Sequence, residues 1–554
     1  MRALALLLAL ALPASAADTL FHHGAVASGH EAASEVGAQV LGEGGNAVDA
    51  AVATVLAMGV ARPDASGLGG GGFLVYRRAS DGRVFALDFR EKAPAAATRD
   101  MFVAHPQAST DGGLAVGVPG EVAGLFRAHR EHGRLPWKQV VDAARDLAVR
   151  GPAITPKVRE LLADSHEMIA HWPALAKRYG RVPEVGERLP NPPLAATLDA
   201  LAREGADAFY HGRIARAIVR AVHDAGGALT EADLAGYQPV AREVVRGTYR
   251  GYELYSMPPP SSGGAVLIEI LNVLDAVPGW PPRDPALYAH QLVEAEKHGF
   301  ADRARWFGDP DFARVPVAHL IDPAYGRSLA ARIGARPLAL DAYGARELPA
   351  DHGTSHFSVL DEDGNAVAVT STINTEFGSK VLVPELGFPL NDEMDDFAAA
   401  PGVPNAFGLV QGEANAIAPG KRPLSSMSPT IVVRDGRVAM VAGASGGSRI
   451  ITGTLQAILN VVHRGMSAQD AVAAPRVHHQ WKPDSVRAEP EAGEAVLQGL
   501  ERRGHVVSRG DAGSSVELLV VRAGGVDAGD DPRKGGKPAG PARGRPTGGG
   551  LERR

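Results

Sequence analysis

The clearest hydrophobic pattern in the chain is a pair of apolar runs joined by a polar turn. Residues 357–360 (Phe-Ser-Val-Leu) and 366–370 (Ala-Val-Ala-Val-Thr) flank the turn Asp-Glu-Asp-Gly-Asn at 361–365. Because Gly364 and Asn365 tolerate the positive φ that such turns need, the pattern predicts a β-hairpin.

A hairpin register centred on this turn places Thr354 opposite Thr372, with Asn374 one step beyond. With Ser355 and Ser371, these residues bring four hydroxyls and one amide to the open end of a hairpin whose middle is apolar. A threonine in a strand is most often an ordinary strand residue. A purely structural hairpin has no need for such a cluster, however, so the pattern indicates a chemical site centred on Thr354.

Two apolar segments near the start of the chain predict buried helices. Residues 31–41 and 47–60 carry Ala, Val and Leu on most faces, and a helix that is apolar all round is buried. A Gly-Gly pair separates the two segments. Asn46 is placed to cap the second helix, and Asp49 stands at its third position.

A glycine run follows these helices. Gly67-Leu-Gly-Gly-Gly-Gly72 contains a literal G-x-G-x-x-G, but the dinucleotide-binding fingerprint needs a strand before it and a helix after it. Here a helix precedes the run, so we interpret the glycines as positions where backbone segments approach closely. Residues 73–77 and 83–89 then predict a second hairpin that ends at Arg90, and residues 117–250 have a mostly helical pattern.

An Asp-Gly dipeptide at 435–436 predicts a third hairpin, built from strands at 430–434 and 437–442. The register of this two-residue turn places the following residues side by side: Ser425 and Ser426 with Gly446 and Ser445. The adjacent N–H groups of Gly446 and Gly447 are suited to hold a tetrahedral oxyanion.

Composition adds an export hypothesis and excludes thiol chemistry. The 554-residue chain begins with a short basic start, an apolar run to Pro13 and the small residues Ala14-Ser-Ala16. This pattern predicts a signal peptide over residues 1–16 and a periplasmic or secreted protein without a stable membrane anchor. An uncleaved anchor is the alternative, although the run is short for a bilayer span. Cysteine is absent, which excludes a Cys nucleophile, a thiolate metal site and disulfides.

The net charge of −6 is unevenly distributed, because residues 532–554 carry seven Arg or Lys against one Glu. We predict that residues 534–554 form a disordered, basic, Gly/Pro-rich tail. Residues 532–554 sum to +6, so the rest of the chain sums to −12. The acidic body argues against nucleic acid as a partner.

The central motif closely resembles the signature of the γ-glutamyltranspeptidases. The matching residues are Thr354-Ser-His-x-Ser, Gly364-Asn-x-Val, Thr370-x-Thr-Ile-Asn and Phe377-Gly378. The resemblance implies an α+β fold, the four-layer αββα sandwich of the N-terminal-nucleophile hydrolases. It also implies autocatalytic cleavage between Gly353 and Thr354, which yields a large subunit (17–353) and a small subunit (354–533) that form a heterodimer.

The same resemblance implies a γ-glutamyl transfer reaction. Thr354 attacks a γ-glutamyl amide such as glutathione, and water or an acceptor amino acid or peptide then takes the acyl group. The freed α-amino group, with an unperturbed pKa of about 7.7–8.0, is a suitable general base. No cofactor or metal is implied. The expected site residues are Thr372 at the nucleophile, Gly446 and Gly447 at the oxyanion, Arg90, Ser425 and Ser426 at the substrate α-carboxylate, and Asn374, Glu393 and Asp396 at the α-ammonium.

Several alternatives remain open from the sequence. A glutaryl-cephalosporin acylase has the same fold, and an exported binding protein that keeps the pocket would stay one chain. The segment Gly443-Ala-Ser-Gly-Gly447 is also a G-x-S-x-G, with Asp470 and His478 in the order of an α/β-hydrolase triad. The acidic run at 391–396 invites a metal interpretation. Phe407, in the segment that matches the family's lid loop, stands where several members have Tyr.

Overall fold

The computed structural model describes residues 20–343, 354–398 and 412–542. Its strands, numbered in chain order, are β1 (Gly24–Ser28), β2 (Gly71–Arg77), β3 (Val84–Phe89), β4 (Val240–Arg242), β5 (Val245–Tyr249), β6 (Tyr252–Ser256), β7 (Ser355–Asp361), β8 (Ala366–Thr372), β9 (Leu382–Val383), β10 (Phe388–Pro389), β11 (Thr430–Arg434), β12 (Arg437–Ser445), β13 (Val477–His478), β14 (Val486–Ala488), β15 (Val507–Arg509), β16 (Ser515–Arg522) and β17 (Gly525–Asp530).

The helices are α1 (Glu31–Gly42), α2 (Ala47–Ala61), α3 (Glu121–His132), α4 (Trp137–Arg150), α5 (Pro156–Asp164), α6 (His166–His171), α7 (Pro173–Tyr179), α8 (Pro192–Glu204), α9 (Asp207–Tyr210), α10 (Gly212–Asp224), α11 (Glu231–Ala235), α12 (Gly263–Ala276), α13 (Pro285–Trp306), α14 (Val317–Leu320), α15 (Pro323–Ala330), α16 (Arg449–Arg464), α17 (Ala468–Ala473) and α18 (Glu494–Arg503). None of these described helices has both the length and the apolar character that a membrane span requires.

Two six-stranded antiparallel sheets form the centre of the molecule. The first has the strand order β1-β7-β8-β2-β3-β4, and the second has the order β17-β16-β12-β11-β6-β5. Strand β12 packs against β7 and β8, so the sheets lie face to face. Helix α2 covers the outer face of the first sheet, whereas α12 and α16 cover the second. The arrangement is the predicted αββα sandwich.

The apolar side chains of β7 and β8 alternate between the two faces of the sheet, which explains why this hairpin lies in the middle of the sandwich. Phe357, Val359, Val367 and Val369 belong to the core shared with α2. The alternate positions Ala366 and Ala368 belong to the core shared with the second sheet. Because successive side chains of a strand point to opposite faces, one hairpin contributes to both apolar layers. Ser355 pairs with Ser371, which is the predicted register.

The two buried helices form as predicted. Both α1 and α2 lie within one residue of the expected bounds. The Asn46 side chain accepts hydrogen bonds from the backbone N–H groups of Val48 and Asp49, and the Asp49 side chain accepts from the N–H of Asn46. This reciprocal capping box satisfies N–H groups at the helix start that have no partner within the helix.

The glycine run lets β2 approach its neighbour closely. A Cβ at Gly72 would lie 2.1 Å from the carbonyl oxygen of Thr370, and one at Gly70 would lie 2.0 Å from that of Thr372. The run leads from α2 into β2, so it lacks the strand-before, helix-after context of a dinucleotide site. The interpretation as close backbone approach is confirmed.

The register predicted for the third hairpin holds beside the turn, where Arg434 pairs with Arg437 and Val433 with Val438, and is off by one residue beyond these pairs. Strands β11 and β12 pair through the Asp-Gly turn, but the register shifts between Val432 and Val433, and Thr430 therefore pairs with Ala442. An extra residue on one strand is a β-bulge, and it moves every later pair by one position. Ser425 precedes β11 in the chain and is outside its pairing with β12; it forms a parallel bridge with Ser261.

The prediction of a disordered tail also needs correction where the structure describes it. Ala539 pairs with Val26 at the edge of the first sheet, through hydrogen bonds in both directions. Lys534 reaches the backbone of Thr354. Residues 534–542 therefore pack on the body, because a backbone segment at a sheet edge can satisfy unpaired N–H and C=O groups there. Residues 543–554 lie outside the described residues.

Candidate active site

The Thr354 hydroxyl lies where the hairpin register predicts. Thr354 immediately precedes β7, and its Oγ1 is 3.3 Å from Oγ1 of Thr372 at the end of β8. Oγ1 of Thr372 also accepts the backbone N–H of Asn374 at 2.8 Å. All three residues are buried. The prediction that the two threonine hydroxyls meet is confirmed.

One cavity collects most of the residues that the sequence predicts for the site. Its predicted lining residues are Arg90, Thr354, Thr372, Asn374, Glu393, Asp396, Ser425, Ser426 and Gly447. Its other lining residues are Arg303, Met427, Ser448 and Ile450. Gly446 lines a second cavity, which Thr354 also borders, together with Arg62, Asp64 and Lys534. Thr354, the nucleophile candidate, therefore lines both cavities.

Arg90 is held between two carboxylates at the end of β3. Its Nη1 donates to Glu393 and its Nη2 donates to Asp396. Nε and Nη2 are also 3.3 Å from the carbonyl oxygens of Pro423 and Leu424. Burial opposes the charge of Arg90, but the two carboxylates outweigh burial and raise its pKa. This guanidinium pairs with the two carboxylates that the family resemblance assigns to a substrate ammonium.

Three carboxyl groups face that one guanidinium. Glu91 is buried 3.9 Å from Arg90, in addition to Glu393 and Asp396. Burial raises the pKa of Glu91 to about 7 and raises that of Glu393 further above its ordinary range. Although the positive charge of Arg303 also acts on Asp396, burial still raises the pKa of all three carboxyl groups, so protonation of one of them is favoured.

The acidic run at 391–396 is engaged by protein groups and does not form a metal cluster among the described residues. Asp392 accepts from the N–H and hydroxyl of Thr375, and Asp395 accepts from Ser109. Asn374, at φ 76°, donates its amide to the Asp392 carbonyl. A grouping with metal-ligand chemistry occurs elsewhere in the described part, at His290, Glu294 and His505. There Lys297 lies 3.2 Å from Glu294 and already supplies a cation.

The glycine pair begins a long helix that the sequence analysis did not place. Gly446 and Gly447 have φ 116° and 51°, and their carbonyls accept the first N–H groups of α16. A Cβ at Gly446 would lie 2.1 Å from the Gly513 carbonyl oxygen. The N-terminal end of a helix carries partial positive charge and favours a nearby anion. The pattern of Ser448 followed by an apolar run was the available signal for this helix.

Lys534 was also missed, because its position in a basic, glycine-rich segment suggested only solvent exposure. Its Nζ donates to the Thr354 carbonyl and lies 3.0 Å from the Ser445 hydroxyl and 3.3 Å from that of Ser355. Burial lowers the pKa of Lys534 to about 8. This ammonium fixes the backbone directly behind the nucleophile candidate.

The α/β-hydrolase alternative does not fit the structure. That fold requires a mostly parallel sheet, whereas every neighbour of β12 is antiparallel. Asp470 is exposed on α17. His478 is buried against Thr452 and Gln480, and burial lowers its pKa to about 3. His478 is therefore a neutral packed residue. Phe407 lies outside the described residues.

Two antiparallel sheets between helix layers, with a buried threonine hydroxyl at the start of a central strand, define an N-terminal-nucleophile hydrolase. Comparison with known proteins narrows the class. The sequence model described as "Gamma-glutamyltranspeptidase" matches residues 33–541. The chain belongs to the γ-glutamyltranspeptidase family, and it is an enzyme.

Three similar proteins illustrate the relation. "Glutathione hydrolase proenzyme" of Escherichia coli (strain K12) is 44% identical over 535 residues, which cover 93% of this chain and 92% of that protein. Cephalosporin acylase from Bacillus halodurans is 26% identical, with a TM-score of 0.85 over 97% of this chain and 99% of that one. Helicobacter pylori gamma-glutamyltranspeptidase is 40% identical, with a TM-score of 0.53 over 55% of this chain and 90% of that chain.

Proposed function

We propose that the protein transfers the γ-glutamyl group of glutathione and related γ-glutamyl amides to water or to acceptor amines. The observation that carries the proposal is a single cavity lined both by the buried threonine pair and by the cluster of Arg90, Glu393 and Asp396. Such a cavity offers a nucleophile and charges of both signs, which match an amide whose distant end is an α-amino acid.

Maturation is the first step of the proposed mechanism. The precursor is exported by the signal peptide, which is removed after Ala16, and the bond between Gly353 and Thr354 is then cut. The products are the Ala17–Gly353 and Thr354–Arg554 subunits of a heterodimer. Cleavage frees the α-amino group of Thr354, and a threonine hydroxyl needs such an adjacent base to act as a nucleophile.

Acyl transfer then proceeds through a γ-glutamyl ester. The α-amino group takes the Thr354 hydroxyl proton while Oγ1 attacks the γ-carbonyl carbon. The N–H groups of Gly446 and Gly447, at the start of α16, stabilise the oxyanion. The C–N bond breaks, and the protonated amine of Thr354 gives its proton to the leaving amine. Water or an acceptor amine then attacks the ester, returns a proton to the Thr354 oxygen and releases the γ-glutamyl product.

Substrate recognition depends on the zwitterionic end of the γ-glutamyl group. We assign the α-ammonium to Asp396, Glu393 and Asn374. We assign the α-carboxylate to Arg90, Ser425 and Ser426. For the ammonium to bind, the ion pairs of Arg90 with the two carboxylates are partly exchanged for substrate contacts.

An acylase activity is the second candidate, because the fold is so similar to that of cephalosporin acylase. The two activities differ in one group, since a glutaryl donor has hydrogen where a γ-glutamyl donor has an α-ammonium. A site that pairs a buried polar group rejects analogues lacking it by orders of magnitude. We expect kcat/KM for a γ-glutamyl anilide to exceed that for the glutaryl anilide by at least about a hundredfold. Equal efficiencies, or a preference for the glutaryl anilide, would favour the acylase.

A further inference from the structure

Arg303 of α13 is a second guanidinium in the substrate cavity. Its side chain is almost fully buried, and it lines the same cavity as Thr354 and Arg90. Its Nε donates to the hydroxyl of Ser262 at 2.9 Å. Its Nη1 is buried and has no hydrogen-bond partner among the described residues. A buried charged donor in that state is costly, so a ligand that accepts from it is favoured.

The position of Arg303 is fixed relative to the serine pair. The Ser262 hydroxyl that accepts from Arg303 itself donates to the Ser425 carbonyl oxygen at 2.7 Å. The Ser262 N–H donates to the same carbonyl at 2.8 Å. Arg303, Ser262 and Ser425 thus form one hydrogen-bonded chain, and a rigid donor of this kind loses little entropy on binding a ligand.

The unsatisfied groups of the cavity differ in kind. The Ser426 hydroxyl, like Nη1 of Arg303, is buried without a partner in the described part of the chain, and both can donate a hydrogen bond. Oε2 of Glu393 is also buried without a partner, and it is an acceptor. Two donors suit a carboxylate and one acceptor suits an ammonium. This set is complementary to the α-carbon substituents of an amino acid.

The charges support the same assignment. Arg90 is already engaged with Glu393 and Asp396, so Arg303 is the guanidinium with an unused donor. Burial, with a further contribution from the positive charge of Arg90, lowers the pKa of Arg303 to about 10, although Asp396 opposes the shift. An anion bound beside Arg303 would relieve this unfavourable field.

We propose that Arg303 is a specificity-determining residue that donates from Nη1 to the α-carboxylate of the γ-glutamyl donor, as a second cationic contact besides Arg90. The inference deepens the proposed function and rests on it. Arg303 thereby favours donors with a free α-carboxylate over donors in which that group is an amide.

The test compares two donors of nearly equal size, a γ-glutamyl anilide and the same anilide with its α-carboxylate converted to a primary carboxamide. Arg303→Gln should lower kcat/KM for the carboxylate donor by about ten- to a hundredfold, the range of a charge-assisted hydrogen bond, mostly through KM. For the carboxamide donor, kcat/KM should fall less than about threefold, because a neutral amide forms a weaker hydrogen bond with a guanidinium than a carboxylate does. The matched control is Arg305→Gln, because Arg305 is an exposed arginine on the same helix. This substitution should leave kcat/KM unchanged for both donors.

A purely structural role predicts a different result. If Arg303 only holds the Ser425 segment through Ser262, Arg303→Gln and Ser262→Ala should each lower kcat/KM for both donors by the same factor. That outcome overturns the proposal. Thermal unfolding monitors folding of each variant. Should Arg303→Gln fail to fold, Arg303→Lys keeps the charge but places it on one nitrogen of a shorter side chain. The ratio of kcat/KM for the carboxylate donor to that for the carboxamide donor should then fall at least about threefold. An unchanged preference in that variant also overturns the proposal.

An assay of the unmutated enzyme distinguishes a failure of the Arg303 proposal from a failure of the proposed function. If the unmutated enzyme does not cleave the γ-glutamyl anilide, the proposed function fails and the inference falls with it. If it cleaves the anilide and Arg303 variants keep the full preference for the carboxylate donor, only the inference fails.

Discussion

Replacing Thr372 with valine tests whether the second hydroxyl of the threonine pair acts on the first. Valine has nearly the shape of threonine, so the change removes one hydroxyl and leaves the packing of β8 intact. That hydroxyl contacts Oγ1 of Thr354 at 3.3 Å and the N–H of Asn374 at 2.8 Å. Both contacts are lost in Thr372→Val.

The size of each effect follows from these contacts. The buried N–H of Asn374 loses its acceptor, which costs about 1–3 kcal/mol of unfolding free energy. Asn374 has a positive φ of 76° and is held there partly by this bond. The nucleophile loses one neutral hydrogen bond, about 1 kcal/mol, and this corresponds to roughly a five- to tenfold fall in kcat.

The assay is steady-state cleavage of a γ-glutamyl anilide, together with urea unfolding of the same preparations. Thr372→Ser is the control, because it keeps the hydroxyl and should retain most of kcat. Thr372→Val should change kcat more than KM, since the hydroxyl contacts the nucleophile directly and affects the ammonium-binding end of the cavity only through Asn374. A valine variant with unchanged kcat, or a serine variant as slow as the valine variant, would refute the assignment of Thr372 to the nucleophile.

Three further predictions concern maturation, substrate choice and pH. Thr354→Ala should remain one chain on a denaturing gel, whereas the unmutated protein should give fragments of about 35 and 21 kDa by scaling mass with length; a cut variant would assign the cleavage to another group. Asp396→Asn should narrow the γ-glutamyl-to-glutaryl anilide ratio of kcat/KM, mainly by slowing the γ-glutamyl reaction, because an amide gives the ammonium no counter-charge; an unchanged ratio would remove Asp396 from ammonium recognition. Burial lowers the pKa of His356 to about 3, so its contribution to stability is present above the unfolded pKa near 6.5 and is lost as pH falls toward 3. The stability cost of His356→Asn, measured by urea unfolding, should therefore be smaller at pH 4 than at pH 7 by up to about 3 kcal/mol, and a pH-independent cost would contradict a neutral buried histidine.

Local patterns were sufficient where the structure depends on neighbours in sequence. The polar turn at 361–365 and the alternation on either side of it set the register of β7 and β8, and this register brings Thr354 to Thr372. The capping box of α2 is likewise contained within four residues. Turn chemistry and side-chain period act over a few residues, so the sequence alone contains the information that these features need.

Tertiary packing decided the features that join distant segments. An extra residue in β12 shifts its register against β11, and the Asp-Gly turn gives no sign of it. Arg90 meets Glu393 and Asp396 about 300 positions away in sequence, although the family resemblance had already placed all three at the site. Neither Arg303 nor Lys534 was expected there. Their side chains reach the site because whole helices and strands pack around it, and long-range packing leaves no periodic signal in the local sequence. The sequence thus determined the nucleophile hairpin and the fold class, whereas only the tertiary structure decided which buried charges surround Thr354.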